Sequence, residues 1–345
     1  MNRLGFALAP ALLLALAPPA GAQPPAARYD KVRKLAIGGE GGWDYLTVDA
    51  EARRLYVSRG TRVVVLDLDK EMVVGELKDT PGVHGVAIVP DLGRGFTSNG
   101  GDATVTAFDL KTLKVLGRIK VGEKPDAIHY DPESKRVFTF NHGPGKDATA
   151  VDPDKLEAVG TLPLGGVPEA AASDGKGHVF VNLEDTHELV EFDTRALKVV
   201  RRWPLAPGEV ATGLGIDRAH HRLFSACRNG KLVVSDYQAG RVIGSAPIGA
   251  GTDGVAFDPD SGLAFSSNGG DGTLSIIDEP SPGQFRLAAT VSTQVSAKTM
   301  ALDPKTHRLY LSAATRVPNP DGKPLPKGQR PSYLPGTFVI LVVGE

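Results

Sequence analysis

Seven aromatic residues recur along this 345-residue chain: Tyr56, Phe96, Phe138, Phe180, Phe224, Phe265 and Tyr310. Counting back twelve residues from six of them reaches Asp44, His84, Asp126, Thr212, Asp253 and Lys298. Ahead of Phe180 the spacing is one residue shorter and reaches Glu169. Six of these seven equivalent positions ionise. Carboxylates gathered in one dry concavity raise one another's pKa or recruit a cation. Hard oxygen ligands suit Ca2+ or Mg2+, and His84 would admit a transition metal, so a divalent cation is the one cofactor this pattern suggests. The bland alternative is a solvated rim in which Lys298 and neighbouring arginines neutralise the acids.

A second set lies three residues after each aromatic: Arg59, Asn99, Asn141, Leu183, Cys227, Asn268 and Ala313. It is followed by residues that include His142, Glu184 and Arg228. Asn at such positions serves tight turns. Arg59 and Arg228 could hold a carboxylate or phosphate in bidentate fashion. Cys227 has no evident activating partner and reads as small core packing. His129, His178, His220, His221 and His307 fall away from these positions and read as structural or solvent-exposed.

The elements that must position these residues form a repeat. Short β-branched and aromatic runs are bounded by Gly, Pro, Asn and Asp, and no later stretch reads as a long amphipathic helix. The aromatic anchors are spaced 40–45 residues apart. A second anchor, Asp67, Asp109, Asp152, Asp193, Asp236 and Asp278, keeps a spacing of 41–43. Four short strands per unit at this period are the signature of a β-propeller, and seven anchors predict seven antiparallel four-stranded blades. One unit reads as strands at Ala127–Tyr130, Arg136–Phe140, Thr149–Asp152 and Ala158–Leu162. The last unit lacks a fourth strand, and Tyr29–Ile37 is predicted to supply it and close the ring. The candidate residues then share one face, at the mouth of the central channel. The last unit also carries a long insertion, Ala314–Gly336, rich in proline and holding Arg316, Lys323, Lys327 and Arg330. It reads as a basic flap over that mouth.

The unit Phe96-Thr97-Ser98-Asn99-Gly100-Gly101-Asp102 … Val105-Thr106-Ala107-Phe108-Asp109 resembles the YVTN-type β-propeller repeat. Phe265-Ser266-Ser267-Asn268 and Phe138-Thr139-Phe140-Asn141 repeat its core loosely. Over residues 29–345 the chain is similar to the YncE-like periplasmic propellers. That resemblance implies the fold and the compartment but no particular reaction. Fold relatives include lactonases, the haem d1 propeller of nitrite reductase and quinoprotein amine dehydrogenase subunits. A WD40 reading is disfavoured, because the only Trp-Asp pair, Trp43-Asp44, precedes the first strand of its unit.

Composition agrees with this reading. Gly 41 and Pro 26 supply the turns, and 41% hydrophobic residues can fill a large core. A formal net charge of -1 lacks the basic field of a nucleic-acid protein. One cysteine excludes an intramolecular disulfide framework, a four-cysteine zinc site and an iron–sulfur cluster built by this chain. Residues 1–22 read as an export signal: Arg3, an apolar run Leu4–Leu16, and Ala20-Gly21-Ala22 before the expected cleavage. Residues 23–345 then form one exported, periplasmic propeller domain with no membrane span, expected to be a monomer.

The leading functional expectation is a non-enzymatic propeller that binds a small molecule, or a periplasmic or outer-membrane protein, at the channel mouth. The alternative is a lactonase-like hydrolase, with a metal held by Asp126, Glu169 or Asp253 activating water. A redox scaffold is disfavoured by the lack of a CxxCH haem-attachment motif. Nucleic-acid binding through Trp43, Tyr45 and Arg228 is disfavoured because an acidic mouth repels phosphate.

Overall fold

The computed structural model describes residues 25–319 and 331–344. The proposed export signal and the central part of the proline-rich insertion, 320–330, lie outside the described residues. Seven antiparallel four-stranded sheets follow one another in a ring, giving a seven-bladed β-propeller. The third blade runs Pro125–Asp131, Arg136–Asn141, Asp147–Asp152 and Glu157–Pro163 from the channel outward. The innermost strands pack against those of neighbouring blades, including first against seventh. Among the described residues no helix is long and apolar enough to cross a membrane.

Ring closure follows the predicted route. Val32–Ala36 pairs antiparallel with Val339–Val343 and becomes the outer strand of blade seven. The strand is shorter than expected at its start, because Tyr29 belongs to a 3-10 turn, Pro25–Tyr29. The reason is packing: Tyr29 turns inward against Phe265, with ring centroids 4.6 Å apart, and donates a hydrogen bond to Asp258. Closure removes the open sheet edge that would otherwise invite pairing with another chain.

Both repeat anchors have physical causes. The seven aromatics are buried on the second strand of each blade. Asp67, Asp109, Asp152, Asp193 and Asp236 each accept backbone N–H bonds from the residues two and three further on, which fixes the next hairpin turn. Asp278 departs from this because its hairpin is longer, and it pairs with Arg286 instead. The basic residue ahead of the aromatic also has a role. Arg54, Arg94 and Arg136 each reach carbonyl oxygens in the outer hairpin of the following blade.

Candidate functional site

Five of the seven mouth residues are aimed by a local irregularity of their strands. The pairing register of the innermost strand shifts between Val83 and Val86, Pro125 and Ile128, Pro168 and Ala171, Ala211 and Leu214, and Thr252 and Gly254. These bulges contain His84, Asp126, Glu169, Thr212 and Asp253. A β-bulge leaves a residue unpaired and redirects its side chain. In blades one and seven the strand begins just after Asp44 and Lys298. The serine of the repeat core holds these segments. Ser58 accepts from the Asp44 N–H, Ser98 accepts from the Gly85 N–H and donates to the Asp126 carbonyl, and Ser267 donates to the Lys298 carbonyl. Backbone positions at the mouth are therefore fixed both within a blade and by the preceding blade.

Six of the seven positions join in one chain of charge around the mouth. Lys298 Nζ lies 2.5 Å from Asp253 Oδ2 and 3.2 Å from Asp44 Oδ1. Asp44 Oδ2 lies 2.7 Å from His84 Nδ1, which is 3.5 Å from Asp126 Oδ2. His142 follows, with Nδ1 3.7 Å from the same Asp126 oxygen and Nε2 2.9 Å from Glu169 Oε2. The chain spans blades six, seven, one, two, three and four. Blade five breaks it with Thr212, whose hydroxyl is buried and donates to the Thr252 carbonyl.

The electrostatics divide this chain. Burial pushes Asp126 up to about 6, and the nearby Asp44 charge adds to the shift. Burial pushes Glu169 up to about 7, against the opposing contact with His142. For Asp44 the burial effect is outweighed by Lys298 and His84, and its pKa ends below the usual carboxylate value. Burial would lower His142, but Glu169 and Asp126 hold it up at about 9. The same competition, won by Asp253 and Asp44, raises Lys298.

Tyr45, which the sequence offered only as a disfavoured nucleic-acid contact, belongs to this site. It lines a channel cavity of about 160 Å3 together with Thr47, Val86, Ile128, Leu214 and Met300. Its ring packs against the apolar cluster of blades three and four, opposite its own blade. Burial, followed by the charges of Glu169, Asp126, Asp44 and Asp253, raises its phenol well above the ordinary value, so it stays neutral. A spacing count cannot reveal it, because no other blade has an aromatic residue one position after its mouth residue.

The second set of candidates separates by role. Asn99, Asn141 and Asn268 are buried, and their amides donate to Thr104 and Thr106, to Asp147 and Thr149, and to Thr273 and Ser275. They pin the turn inside their own blades. Arg59 is 1% exposed; its guanidinium donates to the carbonyls of Gly41, Gly42, Gly38 and Glu40 and stacks 3.7 Å from the Phe338 ring centroid. Arg228 is exposed and pairs with Glu184 at 2.8 Å, beside His142. Cys227 is fully buried, and burial pushes its thiol up to about 12. His307 pairs with the buried Asp258, and His220 with Asp217, both away from the mouth.

One position further on, blades two and six carry Gly100 and Gly269. A side chain at Gly100 would press on His84 Nε2 at 2.9 Å, and one at Gly269 on Lys298 Cβ at 2.8 Å. Blades three, four and five place His142, Glu184 and Arg228 there instead. Above blades seven and one, Trp43 packs against Tyr333 and Phe338, with centroids 4.5 and 5.4 Å away. The two stems of the insertion pair through Arg316 and Tyr333, with Val317 N–H donating to Ser332 and Leu334 N–H to Thr315.

No protein-family model matches this chain, and no curated protein matches it. Solved structures do. A chain of the Kuenenia stuttgartiensis hydrazine synthase aligns with TM-score 0.70 at 16% identity, covering 78% of this chain and 92% of that one. A chain of a mitotic checkpoint complex aligns with TM-score 0.70 at 15% identity, covering 88% and 95%. Their likeness to this chain is one of fold.

Proposed function

We propose that the protein is an exported ligand-binding propeller that takes a small cationic ligand at its channel mouth. The observation that carries this reading is the unbroken chain of side chains from Asp253 through Lys298, Asp44, His84, Asp126 and His142 to Glu169. Four carboxylates there face two cations, Lys298 and the imidazolium of His142, over a channel that Tyr45 lines. Convergent polar groups above an apolar cavity make a binding site rather than a packing solution. The periplasmic address rests on Arg3, the apolar run and the small residues before Gln23.

Thermal unfolding of the full chain with spermidine, choline and divalent ions tests the reading. At least one cation should raise the melting temperature, and Glu169→Gln or Asp253→Asn should remove that rise. Melting that no cation shifts, or a shift that survives both substitutions, overturns it. A second reading, metal-assisted lactone hydrolysis, draws support from the imidazoles set between acids. It requires lactone turnover that disappears in Glu169→Gln.

A further inference from the structure

The charge around the mouth is unevenly compensated. Asp253 and Asp44 share the ammonium of Lys298. Asp126 and Glu169, among the described residues, find only imidazoles as ion-pair partners. Two groups of three ligands result, Asp44–His84–Asp126 and Asp126–His142–Glu169, and within each group the ligand atoms lie within 4.8 Å of one another. They share Asp126, and one oxygen of that carboxylate faces both imidazoles, at 3.5 and 3.7 Å.

A second, independent feature points to a missing partner. His142 Nε2 and Glu169 Oε2 are 2.9 Å apart, yet neither atom has an aligned hydrogen-bond partner, and both are buried. Glu169 is only 8% exposed. A buried carboxylate oxygen without a directed donor costs free energy unless another group satisfies it. A metal ion that displaces the imidazole proton would take both atoms as ligands. Contacts of 2.7 to 3.7 Å along the two groups bracket the ligand–ligand edge, about 3.3 Å, of a tetrahedral zinc site.

We infer that the mouth is a two-ion divalent-metal site, with Asp44 and His84 holding one ion, His142 and Glu169 the other, and the Asp126 carboxylate bridging them. Mixed imidazole and carboxylate donors favour a first-row transition ion over Ca2+ or Mg2+. The inference rests on the mouth being a ligand site, and it narrows the ligand to metal.

The test is zinc titration of the EDTA-stripped full chain, read by calorimetry and by metal content after desalting. The expected stoichiometry is about two zinc ions per chain. His84→Gln and His142→Gln should each keep one ion. Asp126→Asn should weaken both ions by at least about 100-fold. Circular dichroism of each variant guards against misfolding. No zinc uptake by a folded chain, or uptake unchanged by Asp126→Asn, overturns the inference. If zinc fails but spermidine or choline still binds and is lost in Glu169→Gln, the metal idea falls and the binding reading stands. If no probe binds, both fall.

Discussion

The two faces of the propeller use the same residue type in opposite ways. On the face away from the mouth, aspartates at the ends of innermost strands are surrounded by donors. Asp131 accepts from the Ser134 N–H at 2.8 Å and from the hydroxyls of Ser134, Ser173 and Thr194 at 2.7, 2.7 and 2.8 Å. Asp258 receives Tyr29, Ser261 and His307, and Asp303 receives Arg53 and Thr306. Burial would raise all three, but these partners hold them below the ordinary carboxylate range. At the mouth, Asp126 and Glu169 are buried without such donors and are pushed up. The first ring ties adjacent blades together. The second stores unfavourable charge, a common price of a binding site.

Removing one acid from the stabilising face should do the most damage. Asp131→Ala deletes four hydrogen bonds, leaving Ser173 of the next blade without its buried acceptor and Thr194 with only the Gly177 carbonyl. The expected loss is about 4 kcal/mol, since charged acceptors with several buried donors carry the larger hydrogen-bond contributions. Guanidinium unfolding measures it. A loss below about 1 kcal/mol, ordinary for a surface substitution, would erase the distinction between the faces.

The pH dependence should separate the faces next. Asp131, Asp258 and Asp303 have folded pKa values below their unfolded ones, so their contribution is complete above about pH 4 and fades as pH falls further. Asp126 and Glu169 are raised, to about 6 and about 7. Their sign is opposite: the folded state binds the proton more tightly, and stability drains away as pH climbs through those values. In EDTA the protein should be about 3 kcal/mol less stable at pH 8 than at pH 5. An Asp126→Asn, Glu169→Gln double variant should flatten that slope.

The contrast between the faces also explains what could be read in advance. The ring, its seven blades and its closing strand were legible because every blade buries an aromatic and five of them cap a hairpin with Asp, and both features recur every 40–45 residues. The mouth positions were legible for the same reason, since the bulge holding Asp126 or Glu169 sits eleven or twelve residues before the anchor. Side-chain direction was not. Asn99 and Asn268 share the same spacing logic, but their amides turn into the blade because Thr and Ser on the adjacent strand offer partners. Arg59 was absorbed by carbonyls of the 38–42 loop, a segment outside the repeat. His142 and Tyr45 break the pattern of the other blades, and only the folded ring shows that one joins Asp126 to Glu169 and the other crosses the channel.

The smallest effect on stability should come from Glu169→Gln, and its smallness is informative. Gln keeps the shape of the side chain and can still meet His142, while the charge it removes is one that burial already disfavours. Because the carboxyl titrates at about 7, it is protonated in the folded state at pH 5, and there the neutral amide replaces a neutral group. The unfolding free energy at pH 5 should therefore move by less than about 1 kcal/mol, against about 4 kcal/mol for Asp131→Ala. Cation-induced thermal stabilisation should nevertheless disappear. A residue buried as deeply as a core side chain, whose replacement leaves folding intact and abolishes cation binding, is held in place for the ligand. If Glu169→Gln instead unfolds the chain as readily as Asp131→Ala, the mouth acids belong with those of the opposite face, as struts between blades.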